Sequence, residues 1–316
     1  MCRPKTATER IPPAFGAKSN RRSRANDADR RRGGSRIDTQ DARFAGIARA
    51  MRDAPSRARR RTMRMTGSNA FDWRGWCLFA IAAAVLASSI AHGPVAQDQH
   101  YHRFADARHL CGVANFWNVA TNAPFLLFGG WGLAVLYRRR TVALPMRSAY
   151  VAFFVGASCV AFGSAYYHLA PSDDTLVWDR LPMTVAFMAF FAAILGRYLR
   201  PTLGTRGLAP LLLIGLASVL WWRVSGDLRA YLIVQFLPIL LIPAILLLYP
   251  IRSPATRFIW AVLGLYALAK VLETQDAVVY EAVGISGHSL KHVSAALGVG
   301  CVVLAVRAES RLAPQA

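Results

Sequence analysis

Cysteine, acidic side chains and charge in general are all scarce in this chain. Its five cysteines (Cys2, Cys77, Cys111, Cys159 and Cys301) form no C-x-x-C pair and no zinc-ribbon spacing, which excludes a disulfide framework and a thiolate metal site. Cys77, Cys159 and Cys301 fall in apolar runs and read as lipid- or core-facing residues. Only 17% of the 316 residues are charged, against 54% hydrophobic, and no segment has the composition of a soluble domain or repeats in tandem. Asp and Glu number 17 against 38 Lys and Arg, and the surplus is uneven. Residues 1–65 hold 19 basic and 6 acidic side chains, +13 of the formal net charge of +21. That stretch has little hydrophobic periodicity and reads as a disordered basic extension, with translation expected to start at Met51, Met63 or Met65. A nucleic-acid role would rest on this extension alone, so no nucleic-acid partner is expected.

What is abundant is apolar sequence in runs of membrane-crossing length. A bilayer core of about 30 Å takes roughly 20 residues of helix. Such runs occupy 76–92, 116–137, 148–169, 178–197, 207–222, 230–249, 256–272 and 288–306. The expectation is an all-α integral membrane protein: a seven-helix bundle within 101–306, one additional hydrophobic segment within 66–100, and a short tail at 307–316. The 207–222 run is short, with Trp221 and Trp222 suited to an interface. The first run also admits a reading as a cleavable signal peptide, and either reading leaves the same seven-span body. Arginines crowd alternate loops (Arg138–Arg140 with Arg147, Arg200 with Arg206, Arg252), and the positive-inside rule then places both termini in the cytoplasm of a cell whose inner membrane holds the chain.

With that topology, five polar residues share one depth near the external face. Ser164 and His168 end an outward span, Asp179 opens an inward one, and His288 and His292 open another. Ser164/His168 and His288/His292 are i,i+4 pairs, each on one helix face. Three imidazoles are the usual protein ligands of a catalytic zinc, whose fourth position is kept for water. A carboxylate and a hydroxyl beside that water suit a metal-assisted hydrolase. Taken singly, Ser164 reads as a helix-packing residue, Asp179 as the ion-pair partner of Arg180, and a lone histidine as interfacial. Taken as one layer, the five read as a metal site. Lys270, Glu273, Asp276 and Lys291 form a second polar group near the same face, with Lys270 and Glu273 expected to pair. Asn118 and Asn122 serve either a lipid headgroup or, more simply, helix–helix hydrogen bonding.

Gly163-Ser164-x3-His168, Asp179 followed by Leu181-Pro182-Met183, Gly287-His288-x3-His292 and the run Asn115-Phe116-Trp117-Asn118-Val119-Ala120-Thr121-Asn122 resemble the alkaline ceramidases of the CREST superfamily of membrane hydrolases. The resemblance covers about 101–306. It implies a seven-helix bundle with zinc on His168, His288 and His292, Asp179 handling the proton of the attacking water, and Ser164 stabilising the oxyanion. It further implies hydrolysis of the N-acyl bond of a ceramide-like membrane lipid. Animal members resemble one another in an acidic calcium-binding segment ending in Glu; that position is Asn115 here, and His109–Val113 before it lack the needed carboxylates, so a calcium ion is not expected at this place, and with its extra leading hydrophobic segment the chain is similar to a bacterial-type member. The alternatives left open are a hydrolase of another N-acyl or ester lipid, a receptor-like relative with structural zinc, and a haem-binding electron carrier.

Overall fold

The computed structural model describes residues 72–312, so the expectation of a basic extension at 1–65 lies outside the described residues. Among the described residues every named element is helical, and a single isolated bridge pairs Leu110 with Val113. This follows from the sequence of long apolar runs. In a bilayer an isolated segment can satisfy its own N–H and C=O groups only as a helix.

Helix α1 spans Trp73–His92 and none of its residues is buried. It lies along α7 (Arg229–Leu248) on the outside of the bundle, where the Arg229 guanidinium reaches the Ser89 carbonyl (3.4 Å). A loop with a single 3-10 turn at Gln99–His102 then runs to the short helix α2, Phe116–Ala120. Helix α3, Ala123–Arg138, continues the same span after a break. Sequence reading takes 116–137 as one helix; the interruption has a local cause. Pro124 has no N–H to give the Ala120 carbonyl, and the Asn122 amide turns back to the Asn118 carbonyl (2.7 Å).

The next spans are α4 (Arg147–Leu169), α5 (Asp173–Ile194, with a π turn at Leu195–Leu199) and α6 (Pro201–Ser225). Helix α6 is 25 residues long, not the short span its apolar run predicts, because Pro201 opens it and a turn of polar residues joins the apolar stretch. Helix α8, Thr256–Thr274, is followed after an 86° bend by α9, Asp276–Val283, in what the sequence reads as loop. Helix α10, Gly287–Leu312, closes the chain. Among the described residues seven helices are long and apolar enough to cross a membrane, eight if the bent pair counts as one span, so the molecule is a multi-pass membrane bundle. The core is packed by α4, α5, α7 and α10, around Phe154, Ala189, Ala192, Ile245 and Val303.

Without a strong hydrophobic drive between helices in lipid, close packing has to come from small residues. Helices α4 and α5 show this at Gly163, where an added Cβ would fall 2.0 Å from the Trp178 carbonyl oxygen. That carbonyl is the one left without its i+4 donor by Pro182. Gly163→Ala is therefore expected to force the helices apart at a cost of about 1–3 kcal/mol. A lower thermal midpoint in detergent, with activity falling in step, is the result to look for; an unchanged midpoint would show that α4 and α5 can part without loss.

Candidate metal centre and cavity

The five residues singled out by spacing meet at one end of the bundle. Ser164 and His168 occupy the last turns of α4, Asp179 the second turn of α5, and His288 and His292 the first two turns of α10. All five are buried, His168 completely. The α5 entry is fixed by a capping box in which Ser172 and Thr175 exchange hydrogen bonds, with Asp173 and Asp174 in the first turn. The α10 entry is held from α9: the His288 N–H donates to Asp276 Oδ1 (2.8 Å), while Oδ2 accepts from the Ala105 N–H (2.9 Å). Gly287 lets this happen, since a Cβ there would lie 2.1 Å from the Leu272 carbonyl oxygen. Both histidine-bearing helices thus carry a glycine at their closest backbone approach, beside Ser164 and beside His288.

The three imidazoles face one another. Nε2 of His168 stands 3.3 Å from Nε2 of His292, and one nitrogen from each of His168, His288 and His292 lies within 4.8 Å of the others. Nitrogens about 2.0–2.1 Å from a tetrahedral zinc stand about 3.3–3.4 Å apart, so the closest pair already has the required separation. Thr121 settles which His292 nitrogen is free. Its hydroxyl donates to the Trp117 carbonyl (2.6 Å) and so accepts from His292 Nδ1 (3.1 Å), leaving the Nε2 lone pair toward the other rings. A buried cluster of imidazole donors with no thiolate suits a borderline divalent metal, and these residues fit one.

On the other side of the cluster, the Ser164 hydroxyl lies against the Asp179 carboxylate, whose Oδ1 is buried without a hydrogen-bond partner. Asp179 and Arg180 form no ion pair, correcting the simpler sequence reading. Arg180 is turned away, to Gln97 Oε1 (2.6 Å) and over the rings of Trp222 and Tyr231. Trp222 is correspondingly buried and only Trp221 is exposed at the surface, so the expected pair of interfacial tryptophans is one. Asn118 and Asn122 are buried and serve packing: Asn118 joins the Asp106 carbonyl to the Ser286 and Ser289 hydroxyls. Lys270 pairs with Glu273 (2.7 Å) as its spacing predicts, and Lys291 reaches the other oxygen of the same carboxylate.

Several contributors have no sequence signal. The loop between α1 and α2 folds over the histidines, with the Phe104 ring edge-on to His168 (4.7 Å between centroids) and tilted against His288 (4.6 Å). Tyr101 stands beside His288 and donates to Glu273 (3.2 Å). Burial, and then the Glu273 carboxylate, raise the Tyr101 phenol well above its ordinary range, so it remains a protonated donor. Asn115, in a left-handed conformation, caps α4 by donating to the His168 carbonyl (2.8 Å). Only Thr121 and Asn115 lie within a motif visible in the sequence.

Below these groups is a cavity of about 480 Å³ lined by Ser164, Asp179 and His292 at its polar end and by apolar side chains such as Phe153, Phe190 and Ile242 along its length. A pocket of this kind, apolar with a few converging polar groups, suits a lipid whose reactive bond lies at one end. A comparison with curated proteins finds no match. The family model for ceramidases matches residues 108–310, a stretch that contains all five site residues and most of the bundle. The chain therefore belongs to the ceramidase family, hydrolases that act on amide bonds.

Proposed function

We propose that this protein is a zinc-dependent amidase that cleaves the N-acyl bond of ceramide-like membrane lipids to a fatty acid and a sphingoid-type amine. The observation that carries the reading is the meeting of three buried imidazoles, Asp179 and Ser164 at the polar end of an apolar cavity. His168, His288 and His292 would hold the metal. When bound there, zinc would supply Lewis acidity, bringing the pKa of water down to about 7 and polarising a carbonyl. Asp179, with an oxygen free of other partners, takes the proton of the attacking water and returns it to the leaving nitrogen. Ser164 turns its hydroxyl to the oxygen of the tetrahedral intermediate, a contribution of about 2.7–4 kcal/mol for a well-placed donor. Phe104 shields the imidazoles from bulk water, and the apolar walls take the acyl chain. The arginine-rich loops lie at the end remote from the histidines, which supports an orientation with the start of α1 and the end of α10 on the cytoplasmic side and the site toward the external face.

The test is metal analysis of the purified protein together with fatty-acid release from ceramide, phytoceramide and an ester of matched chain length. About one zinc per chain and turnover of the amides is the expected result. Turnover of the ester alone would move the substrate class, and a protein purified without metal and unresponsive to added zinc would sink the mechanism.

A further inference from the structure

The amidase reading leaves Arg180 without a task. It is 5% exposed, in a helix that begins at the membrane surface, and its carboxylate neighbour in sequence is engaged with Ser164 instead. Among the described residues no carboxylate forms an ion pair with it. Its partners are neutral: Nη2 donates to Gln97 Oε1 (2.6 Å), the Tyr231 hydroxyl is within hydrogen-bonding contact, and the guanidinium plane lies over Trp222 (4.2 Å), Tyr231 (4.6 Å) and Tyr101 (5.9 Å). Nη1 is buried with no hydrogen-bond partner at all. Burying a guanidinium with a donor unsatisfied is costly, and an aromatic cage that fixes its plane adds geometric precision to that charge. Arg180 lines the same cavity as Asp179 and Ser164.

The other charged groups on the cavity wall do not cancel it. Lys270 and Lys291 are both engaged by Glu273, Asp179 is reserved for proton transfer, and Asp98 is exposed at the rim. Below the rim three cations therefore face two carboxylates. Tyr101 neighbours both the guanidinium and His288, which places the arginine one aromatic ring away from the histidine cluster, on the wall of the same cavity. That is where the amine-derived part of a bound lipid amide would lie.

We propose that Arg180 is a specificity-determining residue that binds an anionic group, whether phosphate, sulfonate or carboxylate, on the amine-derived portion of the substrate. The preferred substrate is then an anionic N-acyl lipid, with neutral ceramide the poorer one. This inference rests on the amidase reading for its substrate but not for its binding site. Planar, bidentate recognition of such groups is what guanidinium does and ammonium does not.

The experiment uses the full-length protein in detergent with paired substrates sharing one acyl chain: a ceramide and its 1-phosphate, and N-lauroyl ethanolamine and N-lauroyl taurine. The wild type is expected to favour the anionic member of each pair by about tenfold to a hundredfold in kcat/KM, the range for a hydrogen bond to a charged group. Arg180→Met should collapse that ratio toward one, and Arg180→Lys, which keeps the charge but not the fork, should keep only part of it and carries the test if the methionine variant does not fold. A second readout needs no turnover: dodecyl phosphate should raise the melting temperature of the wild type and not that of Arg180→Met, with dodecyl maltoside as the uncharged control. Preference for the neutral substrates, or equal loss on both members of each pair, would overturn the proposal and leave the amidase intact. Arg180-dependent stabilisation by dodecyl phosphate without cleavage of any amide would do the reverse, keeping the anion subsite and removing the amidase reading.

Discussion

If His168, His288 and His292 hold a metal as proposed, alanine at both His288 and His292 is expected to remove it and to lower fatty-acid release at least about a thousandfold, because the attacking water loses its activation. The two residues leave one imidazole, His168, which cannot hold a divalent ion alone. Metal content and turnover should fall together in the same preparation. Loss of folding would imitate this result, since both side chains are buried, and ligand linkage separates the two. A metal at a thousand times its dissociation constant stabilises the native state by about 4.1 kcal/mol. The wild type should therefore lose thermal stability on chelation, while the variant, already without metal, should melt at the same temperature with and without chelator. A variant that still copurified with metal, or a wild type indifferent to chelator, would count against these histidines as ligands.

The spans were legible because membrane helices are long and compositionally plain. Runs such as 148–169 and 230–249 nearly coincide with α4 and α7. The depth of the five site residues was legible for the same reason: helix direction and i,i+4 spacing bring Ser164, His168, Asp179, His288 and His292 to one layer, and the bundle does place them together. What escaped depends on tertiary contact. The α8–α9 bend is set at Gln275, in a stretch whose polar residues read as loop. Phe104 and Tyr101 lie in a loop without periodicity, and only the folded chain shows that they cover the imidazoles. Arg180 read as the partner of Asp179 because they are adjacent, yet neighbours on a helix point about 100° apart, and the aromatic rings of α6 and α7 took the guanidinium.

Asparagine at Asp179 is expected to lower kcat by about 10²–10⁴-fold while leaving metal content and melting temperature near those of the wild type. The substitution is nearly isosteric and keeps an oxygen that Ser164 can approach, but it removes the ability to take up a proton. Two roles compete for this carboxylate. If it merely tied α5 to α4 through Ser164, the asparagine would preserve the contact and the activity. The structure argues for more than a tie, since Oδ1 is buried and bonded to nothing, an acceptor held ready at the polar end of the cavity. Local structure supports the same role: the capping box at Ser172 and Thr175 fixes the start of the helix from which the carboxylate projects. The decisive measurement is single-turnover hydrolysis with metal quantified in the same sample. Loss of kcat at full metal occupancy assigns Asp179 to proton transfer; full activity in the asparagine variant would reduce it to a packing residue and require another base on the cavity wall.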